Sequence, residues 1–184
     1  MVICILRGAP SAEARPYLGA VLVRGDAGGR LRAVLGGLAR QVPQAIAVAS
    51  GPVTVPDLSG IAAASVSVPA SGTRALVLAA LEWTAQHARA TPWVVTLPVD
   101  MDPVPPDLVA RFGLAVSEGR ADLACGVVAG ALHDGLGLWP VRLRRDLARF
   151  IRSDPAGTIT DFAGRYTVAA VAFDTAPPAA GVVP

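Results

Sequence analysis

The chain has 184 residues, of which 53% are hydrophobic and 16% charged, and its formal net charge is +2. This composition excludes an intrinsically disordered chain and is typical of one domain with a buried core. All 16 cationic residues are arginines, which excludes Schiff-base catalysis by lysine and a phosphate-binding loop that ends in Gly-Lys-Ser/Thr.

Short apolar runs alternate along the chain with longer amphipathic stretches, which predicts an α/β domain with a largely parallel sheet. Several runs are almost continuously apolar, as expected of strands covered on both faces. The predicted strands are 19–24, 45–49, 65–68, 93–97, 123–128 and 168–173. The predicted helices are 30–41, 73–89, 107–118 and 143–152.

The two ends of the chain are less regular than its centre. Residues 1–6 could add an edge strand, and the small residues of 8–16 form a linker. We expect a single three-layer α/β/α domain over residues 1–178, followed by an irregular tail at 179–184.

The two cysteines, Cys4 and Cys125, lie in apolar runs and indicate buried thiols rather than a disulfide framework. No apolar run approaches the roughly 20 residues of a membrane helix, and residues 2–6 are too few for a signal peptide. The charge imbalance is too weak to indicate nucleic-acid binding. We therefore expect a cytoplasmic protein with neither nucleic-acid nor membrane partners.

Two carboxylates, Asp100 and Asp102, follow the apolar strand at 93–97. Ligands of open α/β sheets bind at the carboxyl ends of strands, and Mg²⁺ is held by one or two carboxylates together with phosphate oxygens and water. The two residues are therefore candidate metal ligands. In the alternative interpretation, Asp100 caps a turn and Asp102 opens a proline-rich helix start.

A reduced phosphate cradle is predicted between the first strand and the first helix. Gly28 and Gly29 lie just before the helix, where free backbone amides and the helix dipole favour an anion, and Arg24 and Arg30 flank them. The alternative is a plain tight strand-to-helix turn.

Four segments, in this order, resemble the molybdenum-cofactor guanylyltransferases. Residues 97–109 resemble the family's metal-binding pattern Leu-Pro-Cys-Asp-Met-Pro-Phe-Leu-Pro. Residues 72–83 resemble its Gly-Pro-Leu-Ala-Gly helix, residues 133–141 its His-Pro…Leu-Trp segment, and Phe173-Asp174-Thr175 its late Asn-Thr-Pro segment. The resemblance covers about residues 19 to 178.

This resemblance implies a nucleotide-diphospho-sugar-transferase-like fold and a nucleotidyl transfer that uses Mg²⁺. The terminal phosphate of molybdopterin would attack the α-phosphorus of GTP, or of another nucleotide, and release pyrophosphate. Carried over by position, Asp100 is the Mg²⁺ ligand and Asp174 a polar contact near the active site. His133 and Asp134, between a predicted strand and a glycine-rich turn, serve either that turn or the acceptor.

The chain departs from the family pattern after its first strand. Members have a long glycine-rich loop there with Arg-Met-Gly and a lysine, and most of this loop is missing. Losing one preorganised phosphate donor costs about 2.7 to 4 kcal/mol, so a slow enzyme is one expectation. The other is a non-catalytic relative that keeps the fold as a binding or assembly module for a molybdoenzyme or an active paralogue.

Overall fold

The structure is a computed structural model that describes residues 17–24, 29–52, 62–69 and 72–173. Its strands are β1 (Tyr17–Val23), β2 (Gln44–Ala49), β3 (Ala62–Ser67), β4 (Trp93–Pro98), β5 (Leu123–Val128), β6 (Ala131–Pro140) and β7 (Val168–Phe173). Its helices are α1 (Arg30–Ala39), α2 (Thr73–His87), α3 (Leu108–Gly119), α4 (Arg144–Ser153) and α5 (Ile159–Ala163), with a 3₁₀ turn at Val141–Leu143. The predicted edge strand, linker and tail lie outside the described residues.

The seven strands form one sheet in the order β3-β2-β1-β4-β6-β5-β7. All neighbouring pairs are parallel except those of β6, which is antiparallel to both β4 and β5. The predicted α/β fold with a mostly parallel sheet is therefore confirmed, and each predicted strand and helix is present within three residues of its predicted bounds.

Two elements escaped the sequence analysis. The prediction that His133 and Asp134 border a glycine-rich turn was wrong, because both lie inside β6 and the turn of the hairpin is at Ala129 and Gly130. The first half of β6 is mostly exposed and its second half is buried, so its sequence shows neither clean alternation nor a continuous apolar run. Helix α5 has only 5 residues, too few for a helical pattern to register.

Strand β1 lies at the centre of the core and is buried along its whole length. A Cβ atom built on Gly19 would lie 2.5 Å from Leu38 of α1, whereas Leu22 lies against Gly135, which adjoins the first residue of α2. Since alternate residues of a strand point to opposite faces, α1 and α2 cover opposite faces of the sheet.

The loop between β4 and α3 is fastened to the end of α1. The Nε2 atom of Gln41 donates to the carbonyl oxygen of Pro105 at 2.7 Å, and its Oε1 accepts from the backbone N–H of Val109 at 3.0 Å. Val104 packs directly against Gly37. These contacts fix the segment that contains the candidate metal ligands. Within the described ranges, the helices do not combine the length and hydropathy needed to cross a membrane.

Two adjacent glycines of α1 differ in how closely this loop packs against them. A Cβ atom at Gly37 would lie 2.8 Å from the Cβ of Val104, whereas one at Gly36 meets nothing within 4 Å. We expect Gly37→Ala to lower the free energy of unfolding by about 1 to 3 kcal/mol through overpacking. Gly36→Ala should raise it by about 0.5 to 1 kcal/mol because it removes freedom from the unfolded chain. Urea unfolding of the two variants measures both, and equal effects would contradict this packing.

The buried thiol of Cys125 gives the stability a dependence on pH. Burial raises the pKa of this thiol from 9.0 to about 12, so the unfolded chain loses the proton first as the pH rises. The thiol's contribution is complete below pH 9 and is lost between pH 9 and 12. Over that window the stability of the unmodified protein should fall more steeply than that of Cys125→Ala, by up to about 1.4 kcal/mol per pH unit. Urea unfolding of both proteins from pH 8 to 11 measures the difference, and parallel curves would contradict it.

Candidate functional site

Asp100 and Asp102 lie on the turn directly beyond the carboxyl end of β4, which ends at Pro98. Both residues are exposed, whereas Met101 between them is buried. The turn closes through backbone bonds, including one from the N–H of Asp102 to the carbonyl of Asp100 at 3.0 Å. Within the described ranges, neither carboxylate makes a hydrogen bond or an ion pair. They do not cap this turn, and both are available to a ligand.

The donor set at this turn suits a cation that shares its coordination with a ligand. No cluster of three or more His, Cys, Asp or Glu side chains that could hold a metal is present among the described residues. One or two carboxylates completed by phosphate oxygens and water are the usual coordination of Mg²⁺ beside a nucleotide, and Asp100 and Asp102 fit it.

The start of α1 lies at the same edge of the sheet. Gly29 is the N-cap of α1, no side chain caps the helix, and its first turn contains no acidic residue. Gly29 and Arg30 are both exposed, and the space beside Gly29 is open. The predicted residues Gly28 and Asp174 lie outside the described residues.

A polar cluster of Arg24, Thr73 and Asp134 joins three elements, and we call it the Arg24 cluster. The Nη1 atom of Arg24 donates to Thr73 Oγ1 at 3.1 Å and to Asp134 Oδ2 at 3.2 Å. The hydroxyl of Thr73 donates to the same Asp134 oxygen at 2.5 Å. Arg24 follows β1, Thr73 begins α2 and Asp134 lies in β6, so the cluster links parts of the chain that are far apart in sequence.

The Arg24 cluster borders an open pocket of about 350 Å³ whose other walls are the start of α2 and residues 157–160. Arg74 fixes the far wall, because its guanidinium donates to the backbone carbonyls of Asp154, Pro155 and Gly157. Gly72, which precedes α2, has a φ of 98° and no side chain caps the helix. The pocket is therefore lined by a cation, a carboxylate, hydroxyl groups and uncapped backbone amides, and Arg74 fixes its far wall.

A bulge in β6 brings Asp134 into the cluster. Cys125 of β5 pairs with Gly137 and Val127 pairs with Leu132, so residues 133–136 of β6 lie opposite the single residue Gly126. Such bulges redirect side chains and are frequent beside active sites. Gly135 has a φ of 91°, and a Cβ atom there would lie 2.9 Å from the Cγ2 of Thr73. Only glycine permits this close approach of β6 to the start of α2.

Arg24 was predicted from the sequence as a phosphate contact, whereas Thr73 was not, and Asp134 was predicted to serve either a turn or the acceptor. The partners of Arg24 are 49 and 110 residues away along the chain. The available signals were that Thr73 opens a predicted helix and that Asp134 lies in a segment resembling the guanylyltransferases. Neither signal shows that the two side chains meet.

Beneath the site, a buried hydrogen bond joins β4 to β6. The indole Nε1–H of Trp139 donates to Thr96 Oγ1 at 2.8 Å, and the two residues are 1% and 0% exposed. This bond satisfies a polar group that has no access to water.

Thr96→Val should lower the free energy of unfolding by about 1 to 3 kcal/mol, because it leaves the buried indole N–H without an acceptor. In a Trp139→Phe background this cost should vanish, since no donor remains to be orphaned. A double-mutant cycle by urea unfolding measures the coupling. An equal cost of Thr96→Val in both backgrounds would show that the bond contributes nothing.

Residues 22–167 match the model of the MobA-like NTP transferase domain. The chain belongs to this family. The match confirms the resemblance inferred from the sequence and covers the end of β1, all of β4 and β6, and the Arg24 cluster.

Proteins named molybdenum cofactor guanylyltransferase are among the relatives of this MobA-like domain. The chain is 38% identical over 107 residues to one from Bradyrhizobium sp., covering 58% of the chain and 50% of the relative. It is 35% identical over 127 residues to one from Rhizobium rhizogenes, covering 68% of the chain and 58% of the relative. The chain therefore spans about half the length of the curated relatives it matches.

Solved structures share the fold at low sequence identity. Rv0371c from Mycobacterium tuberculosis, solved as a complex with manganese, superposes with a TM-score of 0.60 at 16% identity, covering 88% of this chain and 90% of that one. Molybdopterin-guanine dinucleotide biosynthesis protein A from Archaeoglobus fulgidus superposes with a TM-score of 0.55 at 16% identity, covering 85% and 83%. At this identity the likeness establishes the fold alone.

Proposed function

We propose that this MobA-like domain is a nucleotidyltransferase of molybdenum-cofactor biosynthesis that transfers GMP from GTP to molybdopterin with the help of Mg²⁺. The observation that carries the proposal is the position of Asp100, an exposed carboxylate without a protein partner among the described residues, just beyond the carboxyl end of central strand β4. Membership of the family and the names of the relatives support the same reaction class.

In the proposed reaction, a phosphate oxygen of the acceptor attacks the α-phosphorus of the nucleotide. The new P–O bond forms as the bond from the α-phosphorus to the bridging oxygen breaks, and pyrophosphate leaves with that electron pair. A phosphate monoester has a second pKa of about 6, so at neutral pH the attacking oxygen is largely ionised. The chain then needs no general base, and its work is to position the reactants and neutralise charge.

The chain's own residues divide this work along the edge of the sheet. Asp100, with Asp102 beside it, would hold the divalent ion, which would supply positive charge against the phosphates. The manganese complex of Rv0371c is consistent with a divalent ion in this fold. Gly28, Gly29 and Arg30 would offer backbone amides and a cation at the start of α1. Arg24 would contact phosphate from the end of β1, and Asp174 would add a polar contact.

One observation favours the second candidate, a non-catalytic relative that serves as a binding or assembly module. Residues 24–29 alone connect β1 to α1, and they contain neither the lysine nor the Arg-Met-Gly of the pattern that the family has there. A site with fewer phosphate donors can retain nucleotide binding while losing most of the rate. A molybdoenzyme or an active paralogue would then be the partner.

Calorimetric titration with GTP in the presence of Mg²⁺ tests the proposed site. Asp100→Ala should weaken the binding of Mg-GTP by at least about tenfold, a change of about 1.4 kcal/mol, and should leave the residual binding insensitive to EDTA. Asp107→Asn removes an exposed carboxylate from the other end of the same loop and should bind like the unmodified protein. No binding at millimolar GTP, or equal effects of the two substitutions, would refute the site.

Release of pyrophosphate in the presence of molybdopterin separates the two candidates. Turnover that is lost in Asp100→Ala supports the transferase. Metal-dependent binding without turnover supports the binding module.

A further inference from the structure

The Arg24 cluster is more elaborate than a single arginine at the end of a strand needs in order to contact phosphate. The side chain of Arg24 is 50% exposed and that of Asp134 is 47% exposed, and ion pairs exposed to this degree add little to stability. Yet a β-bulge, a glycine with positive φ and the buried first residue of α2 all converge to form the cluster. Stability alone therefore does not explain the cluster.

Both protein contacts of Arg24 use the same nitrogen. Nη1 donates to Thr73 and to Asp134, whereas Nη2 and Nε have no hydrogen-bond partner within the part of the chain that the structure describes. A guanidinium is planar and rigid, so fixing one nitrogen fixes the direction of the others. The edge formed by Nη2 and Nε can bind two phosphate oxygens at once.

We propose that Asp134, together with Thr73, is a positioning residue that holds Arg24 ready for the phosphates of the nucleotide. The inference rests on the proposed function, because it assumes that a polyphosphate binds at this edge of the sheet. An arginine already held in one orientation loses less conformational freedom when the phosphate arrives, so binding is tighter than with a freely rotating side chain. Asp134 acts through Arg24 and does not itself touch the phosphate.

The hydroxyl of Thr73 completes the arrangement. It accepts a hydrogen bond from Arg24 and donates one to Asp134, so the cluster closes into a ring of three side chains. Thr73 is 6% exposed and is fixed at the start of α2. Because Thr73 belongs to α2, the ring holds Arg24, the first residue after β1, against a rigid helix.

Charge is the main complication of any test, because removing a carboxylate near a polyphosphate favours binding by itself. Asp134→Ala and Asp134→Asn remove the same negative charge, but only asparagine keeps an oxygen that can accept hydrogen bonds from Arg24 and Thr73. The ratio of the two dissociation constants therefore measures the holding of Arg24 without the charge effect. Thermal unfolding verifies that both variants fold.

The experiment measures the binding of Mg-GTP and of magnesium tripolyphosphate to both variants, each with Arg24 present and in an Arg24→Ala background. With Arg24 present, Asp134→Ala should bind both probes about tenfold more weakly than Asp134→Asn. In the Arg24→Ala background the ratio should fall to about one, because a positioning residue has nothing left to position. Thr73→Val should bind both probes more weakly than Thr73→Ser, which keeps the hydroxyl and the same net charge.

Three results would overturn the inference while leaving the proposed function standing, provided that Asp100→Ala still weakens the binding of Mg-GTP. One is a ratio near one with Arg24 present. Another is an undiminished ratio in the Arg24→Ala background, which would mean that Asp134 acts on the fold or on the ligand directly. The third is tighter binding by Asp134→Ala than by Asp134→Asn, which would mean that the carboxylate competes with phosphate for Arg24.

The proposed function has its own separate failure. If GTP binding is unaffected by Asp100→Ala while the tripolyphosphate ratio is about ten and depends on Arg24, the positioning inference stands and the metal-nucleotide site does not. If the unmodified protein binds neither probe, both are overturned.

Discussion

The parallel pairing of β1 with β4 is the interaction on which the site depends. Both strands are almost completely buried, and their register, which pairs Leu22 with Pro98, is extended by a bond from the N–H of Val99 to the carbonyl of Leu22 at 3.0 Å. A slip of one residue would turn buried side chains to the wrong face, so the register is strongly fixed. Arg24 and Asp100 each follow this last pair by two residues and therefore emerge at the same edge.

Strand β6 is the third strand, after β1 and β4, that brings a residue of the site to this edge of the sheet. An all-parallel sheet would bring only strand ends and helix starts to the site, whereas the antiparallel β6 passes beside the end of β4 and continues beyond it, since its pairing with β4 stops at Gly137. The buried bond between Trp139 and Thr96 holds the paired half. The half that is not paired with β4 bulges where it pairs with β5, and the bulge carries Asp134 to Arg24.

Most of the fold was predictable because it follows from local patterns. Continuous apolar runs identified the buried parallel strands, and the carboxylates after the strand at 93–97 were located by chain direction alone. Strand β6 was not predictable, because an exposed half and a buried half give it no single period. The Arg24 cluster could not be predicted either: its contacts arise from a bulge and a positive φ, which are consequences of the assembled sheet.

The hairpin that joins β5 to β6 has an evolutionary consequence. Its tip at Ala129 and Gly130 lies at the end of the hairpin where β6 is not paired with β4. Exposed loop tips of this kind tolerate insertions. Extra residues there would leave the hydrogen-bonded ladder between β5 and β6 intact. This hairpin is therefore a position at which the scaffold can gain residues without a change to the Arg24 cluster or to Asp100.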